Sequence, residues 1–316
     1  LYGRNLRVGH AGWDASGPFP GDIMEVIWYK RTLTANEQSR INSYLAVKNG
    51  VTLNENYLST NSNVVWDRSS NTGYNNNIFG IARDEVTVLN QKQSGSINSG
   101  QKLIVSTTGL AGNNVTNTTG LAANQQYLMI GDNNLKQGLK TPMAYTGGSN
   151  GETNFRFEAI WKTQNTGNVG QVTVAWPKGI KNLYLVQSSD ETFDAADNFT
   201  PMTTEVTING VTYQTANVTL ANGQFFTFAG FGLAPGGVVN NLSYWYRADK
   251  DATNTGDGTD VTAWTDQFSG TTSAQLGTNA LPKFRLGAAN YFNFNPGINF
   301  TANSQTLGNT SVRTFT

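Results

Sequence analysis

Acidic side chains in two loops are the groups best suited to chemistry in this chain. Asp190, Asp194 and Asp197 lie in one turn-rich stretch, and four more aspartates lie between residues 249 and 260. Calcium takes about six to eight oxygen ligands from carboxylates, amides and carbonyls. Neither stretch has EF-hand spacing, and aspartates also cap turns. The first stretch lies inside a complete predicted domain, so Asp190, Asp194 and Asp197 are the candidate calcium ligands, and calcium is the one candidate cofactor.

Aromatic residues at predicted loops and strand ends form a second candidate site. An aromatic ring that keeps one face exposed can stack on a sugar ring. The competing interpretation is packing in the core, where most aromatic area is buried. The candidate ligand-binding rings are Trp13, Tyr74, Tyr145 and Trp176. The rings that strand patterns assign to the core are Trp28, Trp161, Trp245 and Trp264.

Residues for catalysis are scarce. The chain has no cysteine and a single histidine, His10. This composition excludes thiolate nucleophiles, Cys-ligated zinc and most His-pair metal sites. Glu25 and Glu158 lie in strand-like segments without a convincing acid partner, which glycoside hydrolysis by paired carboxylates requires. We therefore predict that the protein is not an enzyme.

Charge and hydropathy exclude further classes of partner. Charged residues make up 13% of the 316 residues, and Lys plus Arg balance Asp plus Glu at 21 each. A net charge of zero offers no electrostatic attraction to nucleic acid or to an anionic membrane. No apolar run is long enough for a transmembrane helix. The 11% of aromatic residues favours packed cores over disorder.

The elements that must position these side chains are mostly short strands between turn clusters. Asn209-Gly210 between two apolar runs is the strongest hairpin signal, and Asn222-Gly223 marks a second turn. Such spacing is typical of a sandwich or barrel. The strands predicted after residue 54 are 78–82, 102–106, 127–130, 155–162, 172–176, 183–187, 206–213 and 225–231.

One helix interrupts this β-pattern. Thr34 and Glu37 form a capping box, apolar residues follow at helical spacing to residue 48, and Asn49-Gly50 supplies a left-handed stop. We also predict strands over residues 21–29, 242–247 and 293–300. The fold class is therefore all-β, with tandem β-sandwich domains and one short amphipathic helix near residues 34–48.

Flanking stretches of the chain carry a resemblance to a known family. Residues 21–33 (GDIMEVIWYKRTL) and 44–53 (YLAVKNGVTL) resemble the closing strand and helix of concanavalin A-like, laminin-G-type jelly rolls. Residues 242–245 (LSYW), 247–249 (RAD), 264–267 (WTDQ) and 294–300 (FNPGINF) resemble the opening of the same domain. The middle segment, with 65–67 (VWD), 74–84 (YNNNIFGIARD) and 89–94 (LNQKQS), is similar to a domain of bacteroidete gliding adhesins that use type IX secretion.

The order of these segments implies a tandem array, because the closing half precedes the opening half. We expect jelly-roll halves at 1–53 and 242–316, a complete β-sandwich at 54–233 and a linker at 234–241. The resemblance implies a non-catalytic structural and adhesive segment of a secreted cell-surface fibre. Its partners would be neighbouring repeats and surface polysaccharide. The alternative is a carbohydrate-binding module or ancillary domain of a secreted glycanase.

Overall fold

The computed structural model describes residues 8–9, 20–238, 242–268, 271–278, 280–286, 292–301 and 304–309. By contacts the chain divides into two compact units, Leu1–Gln38 and Ser39–Thr316. In the described residues of the first unit, 20–34 form no helix or strand. The second unit holds every strand assigned in the described residues. None of the helices formed by described residues has the length and apolarity needed to cross a membrane.

Two antiparallel sheets form the central sandwich of the second unit. The nine-stranded sheet consists of β3 (Asn76–Asp84), β4 (Leu89–Gln91), β7 (Gln126–Asp132), β8 (Leu139–Tyr145), β9 (Thr153–Phe157), β10 (Trp161–Thr166), β12 (Lys181–Ser188), β13 (Asn198–Pro201) and β16 (Phe225–Phe231). The five-stranded sheet has the order β14 (Thr204–Ile208), β15 (Val211–Thr219), β11 (Gln171–Pro177), β6 (Ile104–Ser106) and β5 (Gln93–Ser94). The predicted all-β sandwich with one helix is therefore confirmed.

Three smaller sheets accompany the sandwich. A two-stranded sheet joins β1 (Tyr57–Leu58) and β2 (Val64–Trp66). The chain after the sandwich forms β17 (Ala263–Thr265), β18 (Thr272–Gln275) and β21 (Leu307–Gly308) in one sheet, and β19 (Lys283–Arg285) with β20 (Gly297–Asn299) in another. Short 3₁₀ turns occur at Glu85–Thr87, Pro235–Gly237 and Phe292–Phe294.

The central strands of the nine-stranded sheet are buried on both faces of the sheet. Along β3, Phe79 and Ile81 contribute to one buried cluster, which is shared with the five-stranded sheet. Ile78 and Ala82 contribute to a second cluster, because successive side chains of a strand point to opposite faces. Strand β7 is buried along its whole length. A two-sided apolar run of this kind is typical of a central strand.

The α1 helix (Ala35–Asn49) covers the second face of this sheet. Ala46 and Val47 are buried in the same cluster as Tyr57 and Trp66. Ser43 donates its hydroxyl hydrogen to the Ser39 carbonyl and accepts a hydrogen bond from the Leu58 N–H at 2.8 Å. The helix that the resemblance assigns to a jelly-roll half thus packs on the central sandwich, and the domain boundaries at 53 and 54 stay a prediction.

Local turn signals in the sequence are confirmed by the structure. Asn209 and Gly210 both have positive φ, 50° and 80°, and Ile208 pairs with Val211 across the turn. Strand β16 has the predicted bounds. The predicted strand 155–162 is interrupted, since β9 and β10 pair with β16 in registers that differ by a two-residue bulge. The Ala159 carbonyl in this bulge accepts a hydrogen bond from the Thr227 hydroxyl.

Three predicted strands are wrong or displaced. Residues 21–29 form no strand, because no described segment pairs with their backbone, and their apolar side chains are exposed. Residues 242–246 are irregular and residue 247 forms only an isolated bridge. Within the predicted strand 293–300, Gly297–Asn299 alone is a strand, and Asn293 and Phe294 have positive φ. An apolar run in the sequence thus indicates that a segment is suited to burial or association, but it does not determine which strand the segment pairs with.

The predicted capping box forms at the start of α1. The Glu37 carboxylate accepts a hydrogen bond from the Thr34 N–H at 2.9 Å, and the Glu37 N–H donates to the Thr34 hydroxyl at 3.3 Å. Arg31 adds a two-point ion pair to the same carboxylate, at 2.6 and 2.8 Å. Gly50, with φ of +65°, ends the helix as predicted.

We expect the Glu37 carboxyl to titrate far below a free glutamate. Its bonds from Arg31 and Thr34 lower its pKa to about 2. A lowered carboxyl pKa adds stability above the unfolded-state pKa, and this is lost as the pH falls through about 2. An NMR titration of the side-chain carboxyl carbon measures this. Arg31→Met should raise the pKa towards its ordinary value, and a wild-type pKa near 4 would contradict the capping geometry.

Candidate functional site

Trp176 packs between the two sheets and is not an exposed ring. Its side chain is 3% exposed. Its ring centroid lies 5.0 Å from that of Phe157, 5.0 Å from Phe228 and 6.0 Å from Trp161. The expected exposure is wrong because Trp176, although near the end of β11, faces the nine-stranded sheet. A ring enclosed in this way offers no face to a sugar.

Tyr74 and Tyr145 are occupied by contacts within the second buried cluster. Tyr74 is buried with its ring edge against Phe225, and burial raises its pKa to about 12, with Glu191 adding to the shift. Tyr145 is half-buried, and its ring stacks on Phe199 at 3.8 Å with an interplanar angle of 9°. The stacking face expected for a sugar is therefore occupied by Phe199. Trp13 and His10 lie outside the described residues.

The candidate calcium loop between β12 and β13 directs its carboxylates at its own backbone. Asp190 accepts from the Thr192 N–H, Asp194 from the Ala196 N–H, and Asp197 from the Asp194 N–H, at 2.7 to 2.9 Å. These are turn caps. In the part of the chain that the structure describes, no three His, Cys, Asp or Glu side chains are grouped to hold a metal ion. The loop does not fit calcium through these three carboxylates.

Other acidic residues considered in the sequence lie in ion pairs. Asp249 pairs with Arg247 at 2.5 Å, which lowers the pKa of this carboxyl, and Asp260 pairs with Lys283 at 2.8 Å. Glu158 pairs with Lys140 at 2.6 Å. Each carboxylate pairs with a different Lys or Arg side chain, so these acids do not form one shared site.

A cleft at the connection between β3 and β4 is a concave site formed by described residues. Its volume is about 470 Å³, within the range of about 300–1,000 Å³ that is usual for ligand pockets. The β3–β4 connection forms one side, and the loop before β7 forms the other. The lining residues are Arg83, Glu85, Val88, Leu89, Asn90, Gly120 and Leu121.

Arg83 joins the two sides of this cleft. Its guanidinium donates to the Leu121 carbonyl at 2.8 Å and to the Glu85 carboxylate at 2.7 Å. The Glu85 N–H in turn donates to the Asn124 side-chain oxygen at 2.9 Å. These bonds fix the cleft walls while leaving its charge balanced, since Arg83 and Glu85 are its only charged lining residues among those described.

Asn90 and Gly120 shape the cleft floor. A Cβ atom at position 120 would lie 3.2 Å from Asn90 Oδ1 and 3.4 Å from Asn90 Nδ2. The φ of Gly120 lies outside the left-handed region, so its backbone does not require glycine. The missing side chain instead leaves room for the exposed Asn90 amide.

Val88 at the cleft rim has a strained backbone. Its φ of 56° and ψ of 26° are left-handed, which is rare for a β-branched residue. Its side chain is 86% exposed, so no burial compensates for the strain. Strain of this kind costs about 1–3 kcal/mol and concentrates at functional sites. Sequence reasoning missed this position because nothing in a Val-Thr-Val run indicates a left-handed residue.

A buried carboxylate supports the β3–β4 connection from the opposite face of the sheet. The Asp84 Oδ2 atom accepts hydrogen bonds from the Thr60 hydroxyl and the Tyr127 hydroxyl, both at 2.5 Å. Burial acts to raise the pKa of Asp84, and these hydrogen bonds outweigh it, so the pKa lies below its ordinary value. The side chain therefore stays ionised and holds the end of β3 in place.

Comparison with known families gives one match. A family model described as a domain of unknown function (DUF8202) covers residues 37–224, more than half of the chain. The chain belongs to this DUF8202 family. The DUF8202 match includes most of α1, all strands from β1 to β15 and the cleft, and it ends directly before β16. No curated protein and no solved structure matches the chain.

Replacing Val88 by asparagine should stabilise the DUF8202 domain. Asparagine tolerates the left-handed region, where other residues lose about 1–2 kcal/mol. We expect Val88→Asn to raise the free energy of unfolding by about 1 kcal/mol, measured by urea denaturation. Val115→Asn is the matched control, since Val115 is 89% exposed and its φ is not positive. Equal effects of the two substitutions would contradict the strain at Val88.

Proposed function

We propose that this chain is a non-catalytic structural and adhesive repeat segment of a long secreted cell-surface fibre. Neighbouring repeats are its structural partners, and surface polysaccharide is its class of ligand. The observation that carries the proposal is the uneven distribution of apolar surface. Most large apolar side chains that the central sandwich exposes are scattered along its loops, whereas the segment before α1 exposes a run of them and the chain after the sandwich exposes several phenylalanines.

The segment before α1 has the apolar composition of a buried strand, but its side chains are exposed to solvent. Met24 is 73% exposed and Trp28 is 70% exposed, and their apolar neighbours Ile23, Val26 and Ile27 are exposed too. A run that is apolar on both faces is typical of a strand covered on both sides. Trp28 was expected in the core, and that expectation is wrong within this chain. Contiguous exposed apolar surface of this kind is typical of an interaction site.

The chain after the sandwich also exposes several large apolar side chains. Phe292 and Phe294 are 65% and 69% exposed, and Leu286 and Phe300 are exposed as well. Its sheets are small, with three and two strands. A two-stranded sheet is only marginally stable by itself and needs further packing. Neighbouring repeats that cover both segments would bury this surface, as stacked units do in repeat proteins.

The chemistry of the central sandwich supports a scaffold role. Its candidate aromatic rings pack against other rings of the buried clusters, and the candidate acids cap turns or pair with cations. Neutral amide and hydroxyl side chains supply most of the remaining polar groups. The alternative, a carbohydrate-binding module or ancillary domain of a secreted glycanase, shares the sugar ligand and differs in requiring no neighbouring repeat.

The proposal predicts that the chain associates with itself through its exposed apolar segments. Sedimentation velocity over a range of concentrations should show reversible association. Trp28→Asp should weaken it, because a carboxylate cannot be buried unpaired without a large cost. The central β-sandwich should remain folded, as measured by far-UV circular dichroism.

Val115→Asp serves as the control for an added charge. Val115 is an isolated exposed valine in a loop of the central sandwich, so this variant should associate like the wild type. A chain that stays monomeric at all concentrations, or a Trp28→Asp variant that associates unchanged, would count against the repeat-segment proposal.

A further inference from the structure

We infer that the cleft between the β3–β4 connection and the loop before β7 is a binding site for a neutral polysaccharide. This inference rests on the proposed adhesive function and identifies its ligand site. None of the residues predicted from the sequence to bind ligand lines this cleft. The inference is carried by the charge of the cleft, its polar groups, its apolar walls and its backbone.

Charge balance in the cleft selects an uncharged ligand. Arg83 and Glu85 neutralise each other at 2.7 Å, and the other lining residues carry no charge. An anionic ligand would have to approach the Glu85 carboxylate, and a cationic ligand would have to approach the Arg83 guanidinium. Neither gains a net attraction, whereas a neutral ligand avoids both penalties.

The polar groups of the cleft match hydroxyl groups. The Asn90 amide offers two N–H donors and one carbonyl acceptor, and the Glu85 carboxylate adds acceptors. A sugar hydroxyl both donates and accepts, so neighbouring hydroxyls on a sugar ring can pair with an amide and a carboxylate at once. The Glu85 side chain is 56% exposed and reachable from solvent.

Apolar side chains supply the remaining contact surface. Leu89 and Leu121 line the cleft, and Val88 extends from its rim into solvent. The C–H groups of a sugar ring pack against such aliphatic surfaces and release water. The left-handed backbone of Val88 holds this side chain at the rim at the expense of stability, which is the pattern expected of a residue retained for binding.

The position of the cleft suits a long ligand. It is open to solvent and lies beside β4, an edge strand of the nine-stranded sheet, so a chain can pass through without having to end there. Shallow sites of this kind bind each sugar unit weakly. Repetition of the cleft along a fibre would multiply the avidity without any new contact.

Gly120→Leu provides a direct test, because it fills the cleft at a position whose φ does not require glycine. The nearest atoms belong to the Asn90 side chain, which can move. The whole chain is applied to a panel of immobilised β-glucan, α-glucan, mannan and galactan, with alginate and polygalacturonate as acidic comparisons. We expect at least one neutral polysaccharide to bind. Its dissociation constant should be at least tenfold higher for Gly120→Leu and for Asn90→Ala than for the wild type.

Gly170→Leu is the matched control. Gly170 also lies outside the left-handed region, and no atom lies within 4 Å of the position that a Cβ atom would take there. This variant should bind like the wild type, and urea denaturation should show all three variants folded.

The outcomes separate the site from the proposed function. Neutral-polysaccharide binding that Gly120→Leu leaves unchanged would overturn the cleft as the site and leave the adhesive function standing. Binding only to alginate or polygalacturonate would overturn the neutral ligand class. Absence of binding to every polysaccharide would overturn both the site and the adhesive role, while self-association would still test the repeat-segment proposal.

Discussion

The contact between Trp161 and Trp176 is the interaction on which the rest of the structure depends. Trp161 belongs to the nine-stranded sheet and Trp176 to the five-stranded sheet, and their ring centroids lie 6.0 Å apart at an interplanar angle of 65°. Phe157, Phe226 and Phe228 surround them with further ring contacts. Aromatic pairs in tilted or edge-on geometry contribute beyond the area they bury. Sheets joined in this way form a rigid base for the loops.

Burial of the central strands of the nine-stranded sheet on both faces limits the surface that this sheet exposes to solvent. The five-stranded sheet covers one face, and α1 with the β1–β2 ribbon covers the other. The central strands of this sheet therefore leave no open face among the described residues, whereas loops and edge-strand residues such as Asn90 are exposed. The β3–β4 connection is such a place, because β4 is an edge strand and the Asp84 carboxylate anchors the strand that leads into the turn.

Local signals in the sequence predicted local structure well. The capping box at Thr34 and Glu37, the stop at Gly50 and the Asn209-Gly210 hairpin each depend on a few adjacent residues, and the structure has all of them. The all-β class follows equally from turn spacing. These features need no knowledge of distant partners.

Features that depend on distant partners could not be predicted in this way. The burial of Trp176 comes from residues of the other sheet, and Trp28 is exposed because no described residue covers its ring. The cleft exists because Arg83 reaches the Leu121 carbonyl across 38 positions of the chain. The predicted calcium site is not formed by this loop, because each carboxylate accepts a hydrogen bond from a nearby backbone N–H. Residue types alone do not show whether an aspartate will cap a turn or bind a cation.

A double-mutant cycle on Trp161 and Trp176 tests most directly whether these rings hold the sheets together. The free energy of unfolding would be measured in urea for the wild type, Trp161→Leu, Trp176→Leu and the double variant. We expect a coupling of about 0.5–1.5 kcal/mol, because each ring loses its partner when the other is replaced. Additive effects, with a coupling near zero, would contradict the claim that this contact joins the two sheets.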